Sequence, residues 1–313
     1  MPLLLRGSVP AHLIPFKEDL SIDEEALRRH VEWLVTEGRA AGVVSNGHAG
    51  EVSSLSRDER RRVVEIVVDQ VRGRVPVIAG IYSDSTLEAQ DLARDAARAG
   101  AQALLVFPPN TFAAGASKTI DLPRAWFKAI AQSVDVGLVV FQFPPAGGLG
   151  YTTEVLVQLV QEVPQIVGIK EGSEVPAITE RNIRRVKEVR PDVAILTTNN
   201  TALLPTLILG ADGILSGSGS VLSDLHAAMC AAVSSNDLHA AQAIYQRLFH
   251  TTQVFYADPL VNMHNRMKEA LVLLGRLERA VVRPPLLRLS EEERRRIAAA
   301  LERAGLMTAA ARA

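Results

Sequence analysis

The stretch Ile166-Val167-Gly168-Ile169-Lys170-Glu171-Gly172 decides the fold and holds the residue on which the chemistry turns. It is a short, β-branched apolar run closed by turn-formers, the pattern of a strand buried on both faces of a parallel sheet. Side chains alternate along a strand, so Ile166, Gly168 and Lys170 are expected on one face. The other lysines, Lys17, Lys118, Lys128, Lys187 and Lys268, interrupt no such run, and arginine supplies most of the positive charge. An ammonium in apolar surroundings is costly, and the usual response is a depressed pKa that leaves a neutral amine. A neutral amine in a pocket attacks carbonyls, which is what Schiff-base catalysis requires. A strand-end lysine paired with a neighbouring carboxylate stays open as the structural alternative.

Outward from this run, short apolar segments alternate with helical patterns. Strands are expected over residues 7–15, 42–47, 75–81, 103–108, 137–143, 166–172, 193–198 and 213–216. Ser21 with Glu24, Ser56 with Glu59 and Ser85 with Glu88 read as helix-opening capping boxes. Gly38, Gly100 and Gly210 read as helix ends. Eight strands with helices between them fit an α/β fold of the (β/α)8 TIM barrel type better than an open doubly wound sheet. No Gly-x-Gly-x-x-Gly follows the first strand, so a dinucleotide fold lacks its signature. Beyond residue 236 the pattern is helical only, over 237–256, 264–274 and 290–304. The last opens with Ser290 and Glu293 and follows an extended connector, Arg283-Pro284-Pro285-Leu286-Leu287. The expectation is a catalytic barrel over 1–236 and a C-terminal helical domain over 237–313, frayed over 307–313.

The 313 residues are 48% hydrophobic with a formal net charge of −1, enough for one large core plus an appendage. Near-neutral charge argues against a general binder of nucleic acid or membrane surfaces. The single cysteine, Cys230, excludes an intrachain disulfide, and a reducing cytoplasm is the expected location. Residues 1–6 have a short apolar patch without the flank or length of a signal peptide. No apolar run approaches the ~20 residues that span a bilayer.

In a barrel of this type chemistry collects at the C-terminal strand ends. That selects Asn46, His48, Glu51, Tyr82, Asn110, Thr111, Phe141, Gln142, Lys170, Thr197, Thr198, Asn199 and Ser216. Several of these motifs resemble one family. They are Asn46-Gly-His-Ala-Gly-Glu51, the Pro76–Gly80 strand, Pro108-Pro109, Gly168-Ile-Lys-Glu171 and Gly210-Ala-Asp-Gly213. In order and spacing the chain is similar to the dihydrodipicolinate synthase / N-acetylneuraminate lyase family. The resemblance implies a TIM barrel, a metal-free class I mechanism without cofactor, a 2-oxo acid such as pyruvate as small-molecule partner, and assembly as a homotetramer or dimer. It implies Lys170 as the Schiff-base residue and the amides of His48 and Ala49 as the seat of the substrate carboxylate.

The departures are equally informative. Thr-Thr or Ser-Thr is usual in the turn where His48-Ala49 stands. Phe141 occupies the place of a strand-five tyrosine that moves protons, and Asn110-Thr111 follows Pro108-Pro109 where synthases carry a tyrosine pair. The arginine that holds the second substrate's carboxylate would fall near Ala146, in an uncharged loop. One reading keeps the site catalytic, with His48 as general acid/base beside Lys170, its ordinary pKa near ~6.5 suiting that role. Another makes the protein a non-catalytic 2-oxo acid binder. The favoured reaction is retro-aldol cleavage or dehydration of a 2-oxo-3-deoxy sugar acid or a related compound. Condensation of the 4-hydroxy-tetrahydrodipicolinate synthase type is the alternative.

The expected substrate-binding set is His48, Ala49, Asn110, Thr111, Phe141, Gln142 and Leu215. Asn199 is a further polar group at hand, and Phe107, Phe112, Phe141 and Phe143 suggest apolar walls. Ser216-Gly-Ser-Gly-Ser220 permits close backbone approach more readily than phosphate binding. Glu51 reads as a structural hydrogen-bond partner. His226, His239, His250 and His264 lie in helices without a carboxylate or thiol at ligand spacing, and no strand pairs histidines as a metal hydrolase would.

Overall fold

The computed structural model describes residues 3 and 5–307. Its strands are β1 (Gly7–Ser8), β2 (Val43–Ser45), β3 (Val77–Ile81), β4 (Ala103–Val106), β5 (Gly137–Gln142), β6 (Ile166–Glu171), β7 (Ala194–Thr197) and β8 (Gly213–Ile214). Helices α1 (Glu24–Val35), α2 (Arg57–Val71), α3 (Thr86–Arg98), α4 (Asp121–Ala131), α5 (Thr153–Glu162), α6 (Pro176–Val189), α7 (Leu203–Ile208) and α8 (Gly219–Ser234) follow successive strands. Then come α9 (Leu238–Phe255), α10 (Met263–Leu273) and α11 (Glu291–Arg303). All the pairings between named strands are parallel, in the order β1-β8-β7-β6-β5-β4-β3-β2. A parallel bridge between Ala11 and Val44 joins β1 to β2 and closes the TIM barrel. Among the described residues no helix is long and apolar enough to cross a membrane.

The apolar runs alternate as both-face burial demands. Leu105, Val139, Phe141 and Leu196 point into the barrel, while Leu104, Val106, Val140, Ile169 and Ile195 pack outward against the helices. Truncating one such residue, Leu105→Ala for example, costs roughly 2–5 kcal/mol by transfer and cavity terms. One expectation about β6 fails. The register between β5 and β6 slips between Leu138 and Val139, so Leu138 pairs with Ile166 and Val139 with Gly168. Ile166 therefore joins the outer cluster, and only Gly168 and Lys170 keep the inner face.

Helix starts are partly as read. Ser56 and Glu59 form a full capping box on α2. Ser85 and Ser290 cap α3 and α11 through their hydroxyls, but their third-position glutamates turn elsewhere, Glu88 to Ser83 and Glu293 to Arg266. Ser21 caps nothing: its hydroxyl is taken by Asp19, and Asp23 accepts the Ala26 amide at the start of α1. Gly100 and Gly210 adopt left-handed backbone (φ +97° and +108°), whereas after α1 that conformation falls on Arg39 (φ +50°). Of the stretch 307–313, all but Met307 lies outside the described residues.

The C-terminal helices are not set apart from the barrel's interior. Leu248 and Phe255 of α9, Met267 and Leu271 of α10 and Leu301 of α11 share one continuous apolar cluster with Val44, Phe141 and Leu196. This packing brings α10 over the turn that follows β2.

Candidate active site

The interior end of β6 carries Lys170, 4% exposed, directly opposite Phe141 of β5 in the strand register. Its Nζ stands 3.8 Å from the centroid of the Phe141 ring. No hydrogen bond or ion pair reaches Nζ from any described residue. Burial pushes its pKa down to about 7, with no carboxylate to restore the charge. The lowered pKa makes the free amine, the nucleophilic form, accessible near neutral pH.

This amine opens into a cavity of about 160 Å³ at the C-terminal mouth of the barrel. His48 and Ala49 from the turn after β2, Phe141, Phe143 and Pro144 from the end of β5, and Thr198 and Asn200 after β7 line it. Gly172 and Glu174 after β6 also line it, as do Tyr256, Leu260 and Met263 from the C-terminal segment. Phe143 lies against Phe141 at 4.1 Å between centroids with the rings tilted by 35°, and Phe107 meets Phe141 edge-on at 5.1 Å, so one wall is aromatic.

The turn after β2 is held from several sides. Asn46 and Glu51 both take left-handed backbone, a conformation that costs energy for non-glycine residues, and they bracket the short helical turn His48–Gly50. The first amides of that turn, on His48 and Ala49, precede its internal bonding and have no backbone acceptor among the described residues. Gly80 of β3 must be glycine here, since a Cβ would lie 2.0 Å from the Asn46 carbonyl oxygen. From α10, His264 Nδ1 lies 3.1 Å from the Ala49 carbonyl, and Lys268 forms a fully buried ion pair with Glu51. Glu51 also accepts the Arg283 amide at 3.1 Å. The expected structural role of Glu51 has a physical basis: it ties the turn to the chain's last third.

His48 sits at the cavity's edge, its ring perpendicular to His264 at 5.6 Å between centroids. Enclosure by the walls, then the neighbouring His264 and Lys170 charges, push its pKa below the ordinary imidazole value. More than a third of the residue still meets solvent, so water moderates the shift, and its direction is what bears on chemistry. The imidazole is neutral at pH 7. Glu174, with left-handed backbone at φ +60°, has no hydrogen-bond partner among the described residues, and its carboxyl pKa is raised by burial.

Four expected substrate-binding residues do not line this cavity. Gln142 alternates outward from Phe141 and spends its amide on the Tyr151 backbone, at 2.9 and 3.0 Å. Leu215 is fully enclosed in the core. Asn110 is exposed and bonded to Asp84 and to the Tyr82 hydroxyl, and Thr111 is exposed beside it. Asn199 is buried and also lies outside the lining. Phe112 packs outward against Trp126 rather than joining the aromatic wall. The unanticipated members are Glu174, Asn200, Tyr256, Leu260, Met263 and, behind them, His264. Among the described residues no cluster of three or more His, Cys, Asp or Glu side chains is arranged to hold a metal ion.

The sequence model of the Dihydrodipicolinate synthetase family matches residues 4–304. The chain belongs to that family. Among its curated relatives, the 4-hydroxy-tetrahydrodipicolinate synthase of Oleidesulfovibrio alaskensis is 32% identical over 307 residues, covering 96% of this chain and 99% of the relative. That of Rhodopseudomonas palustris is 34% identical over 306 residues, covering 96% and 97%. Among solved structures, YagE, a prophage protein of E. coli K12 in this family captured in complex with pyruvate, superposes with a TM-score of 0.90. It is 27% identical, with 97% of this chain and 100% of that one covered. A monomeric dihydrodipicolinate synthase variant superposes at 0.89 with 26% identity, covering 97% and 98%. Membership supports an enzyme of the aldolase kind, and the family's fold is the barrel described above.

Proposed function

We propose that the protein is a class I lyase that forms an imine between Lys170 and the ketone of pyruvate or a related 2-oxo acid. The observation that carries this reading is the Lys170 amine: buried, unpartnered and open to the cavity. The substrate carboxylate is assigned to the free amides of His48 and Ala49, whose N–H groups suit an acid group without supplying a charge that would compete for the ketone. An iminium withdraws electrons from the adjacent carbon, so cleavage and condensation run through a common enamine. His48, as a neutral imidazole on the carboxylate side, is assigned as a hydrogen-bonding group and weak base.

The far half of the cavity supports a choice of partner. Among the described residues its lining holds no Lys or Arg besides Lys170, while Glu174 and the Thr198 hydroxyl can meet hydroxyl groups. A second carboxylate there would face Glu174 with no cation to pair with, and like-charge repulsion selects against it. We therefore assign retro-aldol cleavage, or the reverse aldol addition, of a 2-oxo-3-deoxy acid with an uncharged, hydroxylated tail. A second reading has its own support. The relatives at 30–34% identity bear the name 4-hydroxy-tetrahydrodipicolinate synthase, and condensation with a second, carboxylate-bearing substrate would use the same enamine.

The test is proton NMR of pyruvate in D2O followed by a substrate panel. Loss of the methyl signal on adding enzyme, with cleavage of neutral-tailed 2-oxo-3-deoxy acids, is expected. Exchange with turnover only of a carboxylate-bearing aldehyde in a condensation assay would favour the second reading. An undiminished methyl signal would remove the imine reading altogether.

A further inference from the structure

Imine chemistry needs a group that gives a proton to a departing hydroxyl and later takes one from carbon. Phe141, across the strand pair from Lys170, has no exchangeable proton. His48 is held neutral and is a poor donor at pH 7. One residue past the end of α9, Tyr256 reaches back over the barrel mouth and lines the same cavity as Lys170.

Its hydroxyl sits in a polar network at the ends of β7 and β8. The Ser218 backbone N–H donates to the Tyr256 Oη at 3.0 Å. The Ser216 and Ser218 hydroxyls both donate to Asn200 Oδ1, at 2.5 and 3.0 Å, and the Asn200 amide donates to the Thr198 carbonyl at 2.8 Å. The two serine hydroxyls lie 2.9 Å apart, and the Tyr256 Oη meets Ser216 Oγ at 3.3 Å, a contact in which either group can donate. The phenol thus belongs to a hydroxyl network with Ser216, Ser218 and Asn200 at the edge of the cavity, where its hydroxyl can exchange partners with a bound ligand. Burial raises the phenol pKa and the neighbouring hydrogen bonds pull it back, so the resting group carries its proton.

We infer that Tyr256, delivered from the C-terminal helices, is the proton donor and acceptor of the imine chemistry, a role that rests on the Lys170 reading above. When Lys170 has added to the ketone, Tyr256 gives its proton to the carbinolamine hydroxyl. The C–O bond breaks, water leaves and the nitrogen lone pair becomes the C=N bond. The phenolate, held by the Ser218 N–H, then takes a proton from the carbon beside the iminium. The C–H electrons become the enamine double bond and neutralise the nitrogen. Tyr256 ends protonated and no net charge is gained.

The test compares wild type with Tyr256→Phe, which keeps the ring and removes the hydroxyl. Two rates are followed: formation of the borohydride-trapped pyruvate adduct and deuterium exchange into the pyruvate methyl. Both should fall by about 10²-fold or more, the usual contribution of a positioned acid–base group, with the final adduct yield unchanged and only a modest drop in melting temperature from the stranded Ser218 N–H. Wild-type rates in the variant would overturn the assignment while leaving Lys170 in place. Absence of any adduct in the wild type would sink the lysine reading instead. If the phenylalanine variant does not fold, site-specific 3-fluorotyrosine at 256 replaces it. The more acidic phenol should move the alkaline limb of the exchange profile to lower pH, and an unmoved limb would overturn the assignment.

Discussion

Two lysines are buried to a similar degree and behave in opposite ways. Lys170 is 4% exposed with its Nζ over Phe141 at 3.8 Å, and Lys268 is 0% exposed with its Nζ over Phe16 at 4.3 Å. Burial and an aromatic face are thus common to both. What differs is the carboxylate. Lys268 donates to Glu51 and to the Val281 carbonyl, and this pairing opposes the lowering of its pKa by burial. Lys170 has no such partner, so burial lowers its pKa with nothing to oppose it. Burial makes a lysine reactive only where nothing stabilises its charge and a cavity admits the carbonyl. The paired lysine fastens the turn; the unpaired one faces the substrate.

Substitution should separate the two roles sharply. Lys170→Met should abolish turnover, by on the order of 10⁴-fold or more, with the melting temperature unchanged or raised, because an unpaired amine gives way to an apolar side chain. Lys268→Met should do the reverse. It strands Glu51 as an uncompensated buried charge and should cost about 3–5 kcal/mol in a denaturant titration, while the amine at 170 remains able to form an adduct in the molecules that stay folded. Equal loss of stability in both variants would break the contrast.

The pH dependence sharpens it further. Because only the neutral amine reacts, the initial rate of adduct formation should rise about tenfold per pH unit below pH 7 and level off above it, following the Lys170 pKa of about 7. An ascending limb centred near the ordinary lysine value, above pH 10, would mean that the amine is solvated. Three histidines extend the comparison to burial without chemistry. His12, His30 and His226 are enclosed, and burial lowers their pKa values to about 4, 3 and 4, with no carboxylate facing them. The unfolded chain protonates each near pH 6.5 and the folded chain does not. Their contribution to stability is therefore present above pH 6.5 and lost as pH falls toward 4. The slope should be about 1.4 kcal/mol per histidine per pH unit, measured by denaturant titrations across that range. His226→Gln should flatten the slope by one such increment.

The sequence made one half of the site legible and hid the other. Lys170, Phe141 and the turn at His48 and Ala49 lie at strand ends, where period-2 alternation and the barrel's polarity fix both position and direction. Gln142 was misplaced by a single step of that alternation, since its neighbour Phe141 takes the inward place. Leu215 and Asn110 lie near the barrel mouth, but depth and loop direction turn them from the cavity. Tyr256, Leu260, Met263 and His264 were out of reach for another reason. They sit in a tail whose 3.6-residue pattern shows helices but not which barrel face receives them. The clamp between Lys268 and Glu51 spans 217 residues of sequence, and no local spacing encodes it. The β-bulge that turned Ile166 outward is likewise a property of paired strands and leaves no mark on either alone.

The central claim is that the amine of Lys170 is the one that meets the ketone. The direct measurement is peptide mass spectrometry after borohydride reduction with pyruvate at neutral pH. A single reduced pyruvate adduct on the peptide holding Lys170, with the Lys268 peptide unmodified and no adduct in Lys170→Met, is the result expected. Modification of Lys268 or of a surface lysine with Lys170 untouched would contradict the account.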